Sequence, residues 1–306
     1  MPFKNISTPK TLATLDGEVR AAAWLKNPGL VALCSSDPSQ LWVAGLNGAN
    51  ARVSKAGLPE IDDLGLLSRD VAVVRSGNEA WALLGIAHTA KMDRVTDDVR
   101  SLAFRPAGET ALILGWGGNA TELAVKGHDV VARPFSLRSG IRAAFIGEGE
   151  CYVIADGGDG EFRVHPGATP EPGSSAKTNV PAAGKKLGLL AGGKFFSAAW
   201  SRGSADLVAF SRAGNRVDAK TLRLDAPATA VAVAETSLLV GTGDGRVHLY
   251  DRDAIQNATS LSIEAKHVVD FGGEPKVILV VNQQIFVGTA RGEIKTSSLA
   301  RGEVVV

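Results

Sequence analysis

Residues 240–250 read VGTGDGRVHLY, and the same pattern returns at 287–297 as VGTARGEIKTS. A third copy, VIADGGDGEFRV at 153–164, matches after a one-residue insertion. Each copy consists of an apolar run, a glycine-containing turn and a second run in which apolar residues recur. This order predicts a β-hairpin, because a tight turn between strands needs positive φ angles, which glycine adopts without a Cβ clash.

Turn signals of this kind recur seven times along the 306 residues, at gaps of 39 to 47 residues. A period of about 40–45 residues is typical of the blades of a β-propeller, each of which is a four-stranded sheet. The sequence therefore predicts an all-β, seven-bladed β-propeller with four-stranded antiparallel blades, formed by residues 1–306 as a single domain. The seven turns centre on Pro38, Gly77, Gly118, Gly160, Gly203, Gly245 and Gly292.

The strand after each turn is the clearest element of the repeat, because it is short, rich in apolar residues and bounded by turn residues. The innermost strands are predicted upstream, from related stretches such as EVRAAAW at 18–24 and DVRSLAF at 98–104. In the second blade the innermost strand, around 61–68, is weakly marked. The predicted third strands are 40–44, 79–84, 121–125, 161–164, 206–210, 246–250 and 293–297.

The repeats resemble those of the WD-repeat family over essentially the whole chain. LLVGTGDGRVHLYD at 238–251 is similar to that family's second strand, turn and third strand, with Tyr250-Asp251 where Trp-Asp usually stands. VRSLAFRPAG at 99–108 resembles its innermost strand and the following loop. No Trp-Asp pair occurs in this chain and no Gly-His pair opens a blade. The family's internal His–Asp network is therefore not carried over, and a quinoprotein-type propeller is the alternative relative.

Two terminal segments compete to complete the last blade of the predicted ring. TLATL at 11–15 precedes the first blade, and GEVVV at 302–306 also has the composition of a strand. We favour the N-terminal segment, about residues 5–17, because most WD-repeat propellers close in that way.

The composition predicts a soluble, cytoplasmic protein. No apolar run approaches the ~20 residues of a membrane span, and the N-terminus lacks the apolar core of a secretory signal. The 33 basic and 32 acidic residues are well mixed and give a net charge of +1. Nucleic-acid binding normally requires a basic stripe, so we expect neither nucleic acid nor membrane as a partner. Cys34 and Cys151 fall in different blades and are predicted to be free, buried thiols.

No motif for catalysis, metal binding or cofactor binding emerges, so we expect no catalytic residues, metal or cofactor. The five histidines are scattered without metal-ligand spacing. Asp156, Asp159 and Glu161 resemble part of a calcium loop, but Asp-Gly pairs are ordinary turn residues here. The glycine clusters around Gly117 and Gly243 lie between strands, where no helix N-terminus would hold a phosphate.

One set of residues is a candidate partner-binding surface. The turns between second and third strands share one face of a propeller, and tryptophan and arginine dominate the hot spots of protein interfaces. The alternative is that the tryptophans fold back over the blade edge and cap the core. The predicted binding residues are Arg75, Trp116, Asp156, Trp200, Arg202, Asp244 and Arg291.

These observations favour a non-enzymatic scaffold that presents a rigid propeller face to a protein or peptide partner. The alternative is a propeller enzyme or small-ligand binder, of hydrolase, lactonase or quinoprotein type, with its site at the mouth of the central channel. Small or apolar residues along the channel would favour the scaffold. Three or more Asp, Glu, Asn or His side chains converging on the axis would favour the enzyme.

Overall fold

The structure is a computed structural model, and its described residues are almost entirely β-strand, with one short helix. They are 3–26, 29–36, 39–46, 48–54, 58, 60–86, 91–104, 110–116, 119–127, 129–136, 142–146, 150–154, 161–166, 176–179, 189–192, 196–200, 203–213, 216–234, 237–258 and 262–301.

The strands of the described residues form seven antiparallel sheets. Two strands precede the first sheet: β1 (Phe3–Ile6) and β2 (Lys10–Thr14). The first sheet contains β3 (Val19–Leu25), β4 (Leu30–Ser35), β5 (Gln40–Gly45) and β6 (Arg52–Ser54). The second contains β7 (Asp63–Leu66), β8 (Val71–Ser76), β9 (Glu79–Leu84) and β10 (Lys91–Thr96). The third contains β11 (Ser101–Phe104), β12 (Thr110–Leu114), β13 (Asn119–Lys126) and β14 (Asp129–Ser136).

The remaining sheets repeat the same order of neighbours. The fourth contains β15 (Arg142–Ile146), β16 (Glu150–Ile154), β17 (Glu161–Pro166) and β18 (Ala176–Asn179). The fifth contains β19 (Leu189–Gly192), β20 (Phe196–Trp200), β21 (Asp206–Ala213) and β22 (Arg216–Arg223). The sixth contains β23 (Ala228–Val233), β24 (Ser237–Thr242), β25 (Arg246–Asp251) and β26 (His267–Asp270), with helix α1 (Arg252–Asn257) between its last two strands. The seventh has five strands: β27 (Pro275–Val281), β28 (Gln284–Thr289) and β29 (Glu293–Arg301), together with β1 and β2, which both pair with β29.

All seven predicted third strands are confirmed, as are the apolar second strands that precede them. The second strands are the most deeply buried: all six residues of β24 are buried. Two of the first strands, β3 and β23, instead alternate, with every second residue buried. A strand covered on both faces by neighbouring sheets has no solvent face, and its sequence is therefore apolar throughout. The helix α1 has no counterpart in the sequence analysis.

The first strands of successive sheets contact one another along the whole series. β3 contacts β7, β7 contacts β11, β11 contacts β15, β15 contacts β19, β19 contacts β23, and β23 contacts β27. β27 in turn contacts β3, so that the series returns to its starting strand.

The N-terminal strands pair with the last strand of the chain. β2 pairs antiparallel with β29, with Thr14 opposite Glu293, and β1 pairs with the far end of β29. The Leu15 N–H donates to the Gly292 carbonyl at 2.9 Å. The segment 11–15 therefore borders the seventh sheet. Residues 302–306, the alternative closing strand, lie outside the described residues.

Aliphatic layers between neighbouring sheets form the core. Between the first and second sheets, Leu25 and Cys34 pack with Leu64 and Val74. Trp42 and Phe286 share a layer between the first and seventh sheets. Each fully buried Leu or Val contributes about 1.5–3 kcal/mol relative to an exposed position, so these layers supply most of the folding free energy.

The predicted free thiol is confirmed for Cys34, which is fully buried, whereas the side chain of Cys151 lies outside the described part of the chain. Burial raises the pKa of the Cys34 thiol to about 12. At pH 8 about one Cys34 side chain in ten thousand is then ionised.

We expect Cys34 in a Cys151→Ser variant to be inert to a thiol reagent at pH 8, and one thiol per chain to react after denaturation. Rapid labelling of the native variant would contradict the burial.

Candidate functional site

The turns between second and third strands lie beside the connections that enter the first strands. The Val99 N–H donates to the Asn78 carbonyl at 2.9 Å, and the Phe271 N–H donates to the Gly245 carbonyl at 2.9 Å. Turns and connections thus form one surface, which we call the turn face. Its described residues are the turns 76–79, 115–116 with 119, 203–205, 243–245 and 290–292 and the connections 15–18, 60–62, 97–100, 224–227 and 271–274.

Trp116 is the exposed aromatic residue of the turn face. It follows β12 and Gly115, and 52% of its surface is exposed. The Arg100 guanidinium carbon lies 4.4 Å from the centroid of its ring, a cation–π distance. The Trp116 N–H donates to Asp98 Oδ1 at 3.0 Å, so both the backbone and the ring are held in place.

Asp98 organises the turn that carries Trp116. Its Oδ1 accepts the Trp116 N–H, and its Oδ2 accepts the Asn119 side-chain amide at 3.0 Å. These two hydrogen bonds hold the pKa of Asp98 below its usual value, and the bond from Trp116 contributes more than the bond from Asn119. A Cβ at position 115 would lie 2.6 Å from Asp98 Oδ2, so only glycine permits this close approach.

Arg75 and Asp244 act within their own turns. Only 17% of the Arg75 side chain is exposed, and its Nη1 donates to the Gly77 carbonyl at 3.0 Å. The same nitrogen lies 3.4 Å from Asp62. Arg75 is therefore not presented to a partner, which corrects the prediction for this residue. Asp244 is half exposed, and the Thr242 hydroxyl that donates to it at 2.6 Å lowers its pKa.

Arg291 and Trp200 differ in solvent exposure. Arg291 is exposed on the turn face, and its N–H donates to Thr289 Oγ1 at 3.3 Å. Trp200, only 6% exposed, packs with Leu207 and Leu222 in the core. The surface prediction for Trp200 is wrong, because it shares the buried side of β20 with Ala198 and caps the core. Asp156 and Arg202 lie outside the described residues.

Acidic residues at the entrances of the first strands are a feature that the sequence analysis missed. Asp62 Oδ2 accepts the Gly77 N–H at 2.9 Å, as Asp98 does with Trp116. Asp16 accepts the Gln40 side-chain amide at 2.5 Å. An Asp at the start of a predicted first strand or just before it is the signal that would have revealed them.

A cavity of about 330 Å³ opens beside the Trp116 turn. Asp98, Asn119, Thr96 and Ser136 supply its polar lining, and Ile113 and Pro134 supply apolar surface. It extends from the connection at 96–98 across the ends of β13 and β14. Asp98 connects the two features, because it accepts the Trp116 N–H and also lines the cavity.

A chain of ion pairs crosses three sheets where their first strands begin. Arg20 pairs with Glu60 at 2.7 Å and with Glu18 at 3.7 Å. Lys276 joins Glu18 at 3.8 Å to Glu274 at 2.8 Å. Each of the two cations thus lies between two of the three carboxylates. Among the residues that the structure describes, no group of three or more His, Cys, Asp or Glu side chains could hold a metal ion.

Comparison with known proteins supports the fold alone. No family model matches the chain, and no curated protein matches its sequence. The crystal structure of Chaetomium thermophilum Raptor is similar, with a TM-score of 0.68 and 12% sequence identity over 97% of this chain. The match spans 29% of the Raptor chain. Together with the sheet topology, it supports a β-propeller-like repeat fold. No described helix has the length and apolar character needed to cross a membrane.

Proposed function

We propose that this chain is a non-enzymatic scaffold whose turn face binds a protein partner, with Trp116 as the anchor. The observation that carries the proposal is a large aromatic ring that is half exposed, with Arg100 stacked on it and the Trp116 backbone N–H bonded to Asp98. Buried aromatic anchors contribute most of the energy of protein interfaces. A side chain already fixed before binding loses less conformational entropy on association.

A closed, seven-bladed propeller is the scaffold that we propose. Seven sheets occur among the described residues, and their first strands contact one another in a series that returns from β27 to β3. β2 would then complete the seventh blade from the N-terminal side, through its pairing with β29. Such a disc is rigid, because every blade packs between two neighbours. Loops on a rigid framework commonly carry binding residues.

The first strands support a scaffold rather than an enzyme. In β3, β23 and β27, the half-buried side chains at the strand entrances are polar. Those further along are small or apolar and include Ala22, Val231, Val233, Val277 and Leu279. In a propeller, these strands border the central channel. At the strand entrances, Glu18 and Lys276 are paired with each other and with further charges, so this site offers little unpaired charge to a substrate. The alternative of an enzyme or small-ligand binder at the channel mouth lacks such support.

The partner that fits this surface is a protein in the cytoplasm. The net charge of +1 gives no general attraction to nucleic acid or to an anionic membrane. The aromatic ring of Trp116 with an arginine stacked on it combines apolar area with a polar edge, as interface residues commonly do.

Replacing Trp116 with alanine is expected to abolish capture of the partner. The loss of a true anchor costs ~2 kcal/mol or more, which weakens binding roughly thirtyfold. The measurement is a pull-down from native extract with wild-type and variant chains, compared by quantitative mass spectrometry. The melting temperature should change by no more than a few degrees, because the ring is half exposed and lies outside the core.

Val268→Ala is the matched control, since Val268 is 48% exposed on the outer strand β26. A protein that is captured by wild-type chain and by Val268→Ala, but not by Trp116→Ala, identifies the partner. If the same proteins are captured by all three chains, the anchor lies elsewhere and the proposal is wrong.

A further inference from the structure

The cavity beside Trp116 has a chemical character of its own. Asp98 is the one ionisable group among the described residues that line it, and the other polar lining atoms belong to neutral side chains such as Thr96, Asn119 and Ser136. Pro134 provides exposed apolar wall, whereas Ile113 is only 1% exposed. A partly apolar cavity with one acidic group suits a side chain that has an aliphatic stem and ends in a cation.

The Asp98 carboxylate retains the capacity to accept further hydrogen bonds. A carboxylate has about four lone-pair positions. The Trp116 N–H and the Asn119 amide occupy one on each oxygen. Both donors also fix the orientation of the carboxylate, so that it would not reorganise when a ligand binds. A bound cation would complete its hydrogen bonding.

The charges around the cavity favour a positive ligand. Asp97 adjoins Asp98, its side chain is 74% exposed, and it pairs with Arg94 at 3.4 Å. Arg94 also pairs with Glu79 at 2.7 Å. Arg100 is stacked on the ring of Trp116. Among these described side chains, three carboxylates lie beside two guanidinium groups, an excess of one negative charge.

We propose that this cavity binds a lysine or arginine side chain of the protein partner, with its cation on Asp98 and its aliphatic stem along Pro134. This inference rests on the proposed function, because Trp116 would contact the same partner segment next to the cavity. A volume of about 330 Å³ is at the lower end of ligand sites, and it accommodates one long side chain with part of its backbone.

The test uses small probes that carry the cation without the partner. N-acetyl-arginine methylamide and N-acetyl-lysine methylamide are titrated into the full chain and followed by amide NMR. N-acetyl-citrulline methylamide is the uncharged isostere of the arginine probe. We expect saturable binding of at least one basic probe, at least about tenfold tighter than citrulline, because charge-assisted hydrogen bonds are the stronger class. Equal binding of the arginine and citrulline probes, or no binding of either basic probe, would overturn the proposal.

Two variants locate the site, and one serves as the control. Asp98→Asn removes the charge but keeps an oxygen that accepts the Trp116 N–H, and it should weaken binding at least about tenfold. Asp97→Asn makes the same change of charge on the neighbouring residue and should weaken binding far less than Asp98→Asn does, because the Asp97 side chain is 74% exposed and its charge is screened by solvent. Ser136→Phe places a ring at the open end of β14 and should block the cavity even if Asp98→Asn fails to fold. Unchanged probe binding in both Asp98→Asn and Ser136→Phe contradicts the site.

Partner capture separates this inference from the proposed function. If Trp116→Ala loses the partner and Asp98→Asn keeps it, the scaffold proposal stands and the cavity proposal is wrong. If the basic probes bind in an Asp98-dependent manner but Trp116→Ala still captures every partner, the cavity proposal stands and Trp116 is not the anchor.

Discussion

A chain that lacks residues 1–17 is expected to aggregate and to lose more than about 5 kcal/mol of unfolding free energy. The truncation removes β1 and β2, the two strands that pair with the outer edge of β29. It also removes Leu15, which is only 3% exposed and contributes about 2 kcal/mol by burial, and several hydrogen bonds of about 1 kcal/mol each. The bared edge of β29 would then pair with other chains, as exposed edge strands do.

Size-exclusion chromatography and thermal unfolding measure this outcome. Deletion of 302–306, the other candidate for closure, is the comparison and should leave a monomer with an unchanged melting temperature. The assignment fails if the two results are exchanged, that is, if loss of the C-terminal residues causes aggregation and loss of the N-terminal ones does not.

Gly292→Ala is expected to destabilise the chain by about 4 kcal/mol. Gly292 adopts a φ of +81°, which costs an L-residue about 1 kcal/mol. A Cβ on it would also lie 2.1 Å from the Leu15 carbonyl oxygen and 2.7 Å from that of Gly17. A backbone carbonyl cannot rotate away from the clash as a flexible side chain can. Relief of the clash therefore requires a shift of the N-terminal segment, which costs about 3 kcal/mol.

Gly203→Ala is the matched control for this substitution. Gly203 occupies the equivalent turn of the fifth sheet with a φ of +74°, and an added Cβ would meet no atom within 4 Å. It should therefore cost only the ~1 kcal/mol of the left-handed backbone. Urea unfolding of both variants measures the difference. Equal destabilisation would show that the contact between Gly292 and the N-terminal segment carries no energetic weight.

The two tryptophans show where the sequence was insufficient to define the site. Trp116 and Trp200 occupy corresponding turns, and the sequence offered the same two interpretations for each. Trp200 ends β20 on the side of Ala198, facing the layer of Leu207 and Leu222. Trp116 lies two residues beyond the end of β12, after Gly115, and falls outside that alternation. A shift of one or two residues along the chain decides between core and surface, since strand side chains alternate between faces.

The Asp98 arrangement could not be predicted because its partners are distant in sequence. Asp98 precedes β11, whereas Trp116 and Asn119 lie 18 and 21 residues further along, across a hairpin. Only the folded sheet brings these groups together and opens the cavity between them. The same holds for Lys276 and Glu18, which belong to the last and first sheets.

The sequence by itself determined the all-β architecture, the positions of second and third strands and the turn glycines at 77, 203, 245 and 292. These features are local: they depend on apolar runs, on the period of two and on which residue tolerates positive φ. The tertiary structure alone decided which turn residues are exposed, which carboxylate orders the Trp116 turn and which terminal segment borders β29. Those outcomes depend on contacts between residues far apart in the chain, and a repeat pattern carries no information about such contacts.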